Sequence, residues 1–404
     1  MGGRPPACGR REGEGVTAVT KSALTLPVSD GGLQPWSPSG RQPVLAGPPP
    51  QSRIAYAAAH VVADPLATAE PGAPAALDWE VTMAFRRHIW ACGLGVAEAM
   101  DTAQRGMGLD WPAAQELIAR TGAEAAAADG RWCAGVGTDQ LPDKPASIDD
   151  VVAAWREQLE AVVVAGAVPV VMASRALAAA AAGPDDYHRA YGALLAEADR
   201  PVILHWLGEP FDPALAGYWG HRDVRAAAHE LAVICRDHAA TIDGVKVSVL
   251  DAEVETEFRR ALPSDVTCYT GDDFNYPDLI AGDEYGHSDA LLGIFDPIAA
   301  VASAALTRLD DGDASGYHEV LDPTVPLSRE IFRAPTRYYK TGVVFLAYLA
   351  GHQDHFRMVA GLESARSIVH LAELLRLADA AGVLPDPELA VARMRPVLAL
   401  AGVR

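Results

Sequence analysis

The stretch Ile242-Asp243-Gly244-Val245-Lys246-Val247-Ser248-Val249-Leu250 is an apolar run with a lysine and a serine set into it. Branched aliphatic residues at alternate positions give it the period of a strand. Val245, Val247 and Val249 share one face, and Lys246 and Ser248 share the other. The valine face suits packing against helices, so Lys246 and Ser248 look to the opposite, interior side. A buried ammonium must be paired or give up its proton. The chain uses lysine sparingly: Lys21, Lys144, Lys246 and Lys340 are all it has, against 33 lysines and arginines together. Arginine stays charged; a lysine that loses its proton is a nucleophile for carbonyl carbon. The structural alternative is a Lys246 ion-paired to Asp272 or another inward carboxylate and merely filling space. Buried pairs are weak sources of stability, so the nucleophile is the preferred reading.

Outward from this strand, apolar runs alternate with amphipathic stretches from about residue 52. Strand-like runs fall at 53–60, 95–100, 132–136, 168–172, 202–207, 245–249, 266–269 and 290–295. Helical patterns lie between them, as at 79–92, 111–127, 148–165, 185–198 and 222–238. This alternation implies parallel β/α units, and eight such units close into a barrel. An open doubly wound sheet is the second architecture, but the Gly-rich phosphate loop that usually opens one does not follow the first run. The predicted fold class is therefore α/β: a (β/α)8 TIM barrel over residues 51–310 with a C-terminal helical appendage over 311–404. Helical period in that appendage runs over 333–351, 362–381 and 385–400. Residues 1–50, rich in Gly, Pro, Ser and Arg and without hydrophobic period, read as a disordered N-terminal extension. An artificially early start codon would also account for them.

With 404 residues, half of them hydrophobic, the chain can bury a large core. Its net charge of −20 argues against nucleic acid or an anionic membrane surface as partner. No apolar run approaches the roughly 18 residues of a membrane span, and no secretory signal core is visible. The five cysteines (Cys8, Cys92, Cys133, Cys235 and Cys268) are scattered without a CxxC pair, which suggests reduced thiols and a cytoplasmic location.

Active groups of such barrels gather at the C-terminal ends of the strands. That rule selects His60, Asp101 and Thr102, Thr138 and Asp139, Ser174 and Arg175, His205, Lys246, Ser248, Asp251, and Thr270-Gly271-Asp272-Asp273. Taken alone, His205 reads as a hydrogen-bonded core histidine, and Gly271-Asp272-Asp273 equally as a tight turn with a helix cap. The stretch from His352 to His355 is too loosely spaced for a metal site.

These residues carry a resemblance. Asp243-Gly244-Val245-Lys246, then Leu262-Pro263, then Tyr269-Thr270-Gly271-Asp272-Asp273 is similar in order and spacing to the dihydrodipicolinate synthase/N-acetylneuraminate lyase superfamily of class I aldolases. More closely, the chain resembles a divergent bacterial branch of it, DUF993-like. Gly95-Val96 leading through Asp101-Thr102-Ala103-Gln104-Arg105 to Leu109 occupies the place of the family's Gly-Thr-Thr-Gly-Glu loop. The resemblance runs from about residue 52 to about 350. It implies a barrel, commonly tetrameric, whose lysine forms a Schiff base with a 2-keto acid; that residue here is Lys246. Three departures stand out. One hydroxyl of the family's pair is lost at Ala103, with Asp101 before the pair and Arg105 after it. The family's proton-relaying tyrosine aligns with His205. The synthase's carboxylate-binding arginine has no match in Gly208-Glu209-Pro210-Phe211.

The expected activity is a Schiff-base lyase, aldolase or dehydratase acting on a 2-keto acid or sugar-derived keto compound, with no cofactor and no metal. Lys246 is the expected nucleophile and His205 the proton shuttle. Asp101, Thr102, Ser248, Gly271 and Asp272 are the expected substrate-binding residues. The expected partner is a small keto substrate, and the expected assembly a homo-oligomer, tetramer or dimer. Two other readings stand beside this one. In the first, His60, Glu98, Asp101, Asp139, His205 and Asp251 serve a metal-dependent isomerase or aldolase. In the second, the barrel has lost catalysis and only binds a ligand.

Overall fold

The structure is a computed structural model that describes residues 24–141 and 146–403. Two short strands, β1 (Leu24–Pro27) and β2 (Leu33–Trp36), precede the barrel. The barrel strands are β3 (Ala55–Ala58), β4 (Gly95–Glu98), β5 (Trp132–Val136), β6 (Val168–Val171), β7 (Val202–Leu207), β8 (Ile242–Ser248), β9 (Thr267–Thr270) and β10 (Asp289–Leu292). Each pairs in parallel with its neighbour in sequence, and β10 pairs with β3 to close the ring. A helix or helix pair follows every barrel strand, the last being Ala299–Asp310.

Strand alternation divides the apolar residues into two cores. Tyr56, Ala97, Cys133, Val170, Ile203, Tyr269 and Leu291 fill the barrel interior. Val245 and Val247 join the larger core between strands and helices, as their shared face requires. Helix caps match the local sequence: Asp78, Asp110, Asp223 and Asp251 each accept backbone N–H groups of the helix they precede. Ser147 and Asp150 form a reciprocal capping box.

Beyond residue 310 lie further helices, among them Val325–Ile331, Tyr339–Ala350, Ile368–Ala381 and Pro387–Leu400. Tyr339–Ala350 is the centre of this group, with every residue but its last buried. Two expected boundaries are corrected. The helix expected from 333 starts at Tyr339, because Pro335 interrupts the run. The helix expected from 362 starts at Ile368, after an irregular 3-10 segment at Val359–Ala365 with left-handed Ala360 and Gly361.

The N-terminal boundary also moves. Residues 1–23 lie outside the described residues, but from Leu24 the chain is not disordered. β1 and β2 form an antiparallel hairpin with Leu26 fully buried. Arg376 Nη2 donates to the Pro27 carbonyl at 3.2 Å, Ser39 N to Asp379 Oδ2 at 2.7 Å, and Val44 N to the Gly382 carbonyl at 3.0 Å. The hairpin and the segment after it are thus strapped to the C-terminal helices. The four described cysteines are free and buried. Among the described residues, no helix is long and apolar enough to cross a membrane.

Candidate active site

Lys246 stands at the middle of β8, directly opposite His205 of β7 in the ladder. It is 7% exposed, so the side chain is almost wholly enclosed. Among the described residues it makes no hydrogen bond and no ion pair within 4.0 Å. Burial lowers its proton affinity, against the opposing pull of the Asp101 and Asp273 carboxylates and the Cys133 thiol. The ion pair with Asp272 weighed above is not formed. Both Asp272 oxygens are engaged in its own turn: Oδ1 accepts from Phe274 N at 2.8 Å and Asn275 N at 3.0 Å, and Oδ2 accepts from Asn275 Nδ2 at 2.9 Å. The turn-and-cap alternative describes the hydrogen bonds that Asp272 makes. Its neighbour Asp273, picked out from the sequence only as part of the stretch 270–273, is the carboxylate of that turn that acts on Lys246, after Asp101. It accepts from Ile294 N at 2.8 Å, and burial pushes it up to about 7.

His205 is fully buried, with Nε2 3.2 Å from Ser248 Oγ and Nδ1 without a partner. Burial, then the neighbouring Lys246, hold its imidazole well below the usual histidine range, so the ring is neutral at pH 7. Ser248 therefore contacts the histidine on the interior face that it shares with Lys246. Gly271, in the loop after β9, donates its N–H to the Val247 carbonyl at 2.7 Å. A Cβ there would meet Ser248 Oγ and lie 2.9 Å from Lys246 Cε. The lysine has its space because residue 271 has no side chain.

The loop after β4 forms the wall opposite. Asp101 opens a 3-10 turn over Asp101–Ala103. Its Oδ2 is buried without a hydrogen-bond partner, and its charge reaches both Lys246 and Lys340. The Thr102 hydroxyl is 2.8 Å from the hydroxyl of Tyr339, at the start of the central C-terminal helix. Tyr339 is fully enclosed, and burial, with Asp101 next in weight, holds its phenol well above the usual range. Lys340, equally buried, donates to the Arg337 carbonyl at 3.1 Å; burial brings it down to about 8. Neither residue was selected from sequence, since the strand-end rule does not reach into a helical appendage.

A cavity of about 850 Å3 opens at the ends of β4 to β7, with Asp101, Thr138, Asp139, Arg175, Leu207 and Asp212 on its walls. Lys246 is not itself on those walls; Asp101 belongs both to the cavity and to the lysine's surroundings. The remaining sequence candidates separate from this centre. Glu98 is locked to Arg86 by two 2.8 Å bonds, and His60 Nδ1 lies 2.8 Å from Asp296. Asp139 grips Arg105 in a bidentate pair, and Asp251 caps a helix. Among the described residues, no group of three or more His, Cys, Asp or Glu could hold a metal ion, so the six residues named for a metal enzyme do not converge.

Solved structures share this fold, three of them as follows. Dihydrodipicolinate synthase from Thermotoga maritima matches with a TM-score of 0.61 at 15% identity, over 83% of this chain and 100% of that one. The 4-hydroxy-tetrahydrodipicolinate synthase from Methylacidiphilum fumariolicum SolV matches with a TM-score of 0.60 at 13% identity, over 87% and 99%. Dihydrodipicolinate synthase from Aquifex aeolicus matches with a TM-score of 0.58 at 13% identity, over 87% and 98%. No curated protein matches by sequence. Residues 24–403 match the family described as "Protein of unknown function (DUF993)", which begins where the described hairpin begins.

Proposed function

From a chain that belongs to the DUF993 family and has the fold of the dihydrodipicolinate synthases, we propose a Schiff-base-forming lyase, aldolase or dehydratase that acts on a keto compound through Lys246. One observation carries this reading: an amine inside the barrel, without an ion pair and with its proton affinity lowered by burial, beside a neutral histidine. The Nζ lone pair attacks the carbonyl carbon. The carbonyl oxygen leaves as water, with one proton from the amine and one from solution, and the nitrogen keeps one positive charge. That iminium accepts electrons from the adjacent carbon, whose C–C or C–O bond can break or form. His205, neutral and 3.2 Å from Ser248, takes up and returns the protons these steps release. The Thr102–Tyr339 hydroxyl pair is a second proton-carrying contact on the opposite wall.

The test is reductive trapping. The protein is incubated with a panel of keto acids and keto sugars, borohydride is added, and the adduct is mapped by mass spectrometry. A stable adduct on Lys246, absent in Lys246→Arg, is the expected result. Folded protein that binds members of the panel but is labelled by none would turn the reading to a ligand-binding barrel.

A further inference from the structure

Resting on the Schiff-base reading of Lys246, the distribution of charge around that lysine says what kind of ketone fits. The groups that act on it are Asp101, Asp273 and the Cys133 thiol; no guanidinium is among them. The nearby cations are otherwise engaged. Arg105 gives Nε and Nη2 to Asp139, Nη2 also to Gln158, and Nη1 to the Ala99 and Gly135 carbonyls. Arg86 is spent on Glu98 and on the His60 and Thr82 carbonyls. Lys340 is tied to the Arg337 carbonyl and lies over the Tyr339 ring at 4.5 Å. Only Arg175 keeps terminal nitrogens without a protein partner among the described residues. It is 55% exposed, at the rim of the cavity, with Nε on Asp212.

A 2-keto acid bound at Lys246 would therefore place its carboxylate beside Asp101, while the guanidinium with free terminal nitrogens, Arg175, stands half-exposed at the cavity rim, an arrangement that like-charge repulsion disfavours. A hydroxylated ketone meets the opposite situation. Asp101 Oδ2 is buried and lacks a donor, and a carboxylate oxygen can only accept. Along the cavity the Thr138 hydroxyl, 2.7 Å from that of Ser174, adds a further polar group, while Asp139 and Asp212 are already paired with Arg105 and Arg175. We propose that the substrate is a neutral, polyhydroxylated ketone with no carboxylate on its carbonyl carbon. Asp101 accepts a hydrogen bond from the hydroxyl next to the carbonyl and balances the iminium charge that an α-carboxylate would otherwise balance.

Dihydroxyacetone and hydroxypyruvate differ only in bearing CH2OH or a carboxylate on the carbonyl carbon. Trapped with cyanoborohydride on the full chain, dihydroxyacetone is expected to label Lys246 at least tenfold faster. Asp101→Asn is expected to shrink that preference at least tenfold; Asp101→Ser serves if the first variant does not fold, with circular dichroism as the check. Equal or faster labelling by hydroxypyruvate in the unaltered protein overturns the proposal and leaves the role of Lys246 intact. An unchanged preference in the folded variants overturns the role of Asp101. If neither compound labels Lys246, nor any member of the wider keto panel, the Schiff-base reading itself fails. Calorimetric binding of the same two compounds then decides the charge preference: hydroxypyruvate bound as tightly or more tightly, or no binding of either, overturns it.

Discussion

At position 271 a single methyl group would collide with the Ser248 hydroxyl and come within 2.9 Å of Lys246 Cε. Gly271→Ala is accordingly expected to lower borohydride-trapped adduct at least tenfold while circular dichroism still shows a folded barrel. Adding Ser248→Ala removes the nearer obstacle and should recover part of the loss. A Gly271→Ala protein that labels like the original would mean the lysine does not use this space. Lys246 and Ser248 were legible as a pair because strand alternation puts them on one face. His205 lies on the neighbouring strand, was reached through the strand-end rule and the family resemblance, and taken alone read as a core histidine. Asp272 and Asp273 were not separable that way. They are consecutive residues of a turn, and which carboxylate bends back to cap the turn is decided by backbone geometry that residue type does not encode.

The helix Tyr339–Ala350 brings two residues of the C-terminal region to the mouth of the barrel. Removing the hydroxyl with Tyr339→Phe leaves Thr102 Oγ1 without its 2.8 Å partner. About 1 kcal/mol of stability should go with it, and, if the pair carries protons, turnover should fall tenfold or more; an unchanged rate would make the contact structural only. Lys340 gives a pH signature. Its ordinary value is 10.5, and burial brings it to about 8 in the folded protein. Between those values the unfolded chain holds more protons, so stability rises with pH across that window, and below about 8 the full cost of the buried charge is present. Lys340→Met should therefore raise stability at pH 7 by about 1–3 kcal/mol, a gain that fades as the pH approaches 10.5. Denaturation curves at pH 7 and 10 would show it; a constant difference would not fit. Periodicity revealed these helices but placed the start of this one at 333, six residues before Tyr339. That offset hid which residues face the site.

For the molecule as a whole, the barrel was legible because eight apolar runs at β/α spacing admit few closures, and all eight are strands in the structure. The hairpin was not legible. Its strands are four residues each, too short to show a period, and they gain their burial from helices more than three hundred residues away. Leu26→Ala is expected to cost about 2–4 kcal/mol in denaturant unfolding and to leave labelling of Lys246 unchanged; no loss of stability would mean the hairpin is dispensable. The same contact bears on how the protein is made. Ser39 and Asp379 are 340 residues apart, so at cellular elongation speeds of 5–20 residues per second the hairpin waits roughly twenty to seventy seconds for its partner. Tyr339 reaches Thr102 late as well, 237 residues after it. A ribosome therefore releases the strands of the ring before the pieces that lock it and finish its mouth. Nascent chains stalled short of residue 339 would hold the lysine and Thr102 without the Tyr339 hydroxyl that Thr102 meets in the finished fold, leaving the mouth of the barrel more open than in the complete chain.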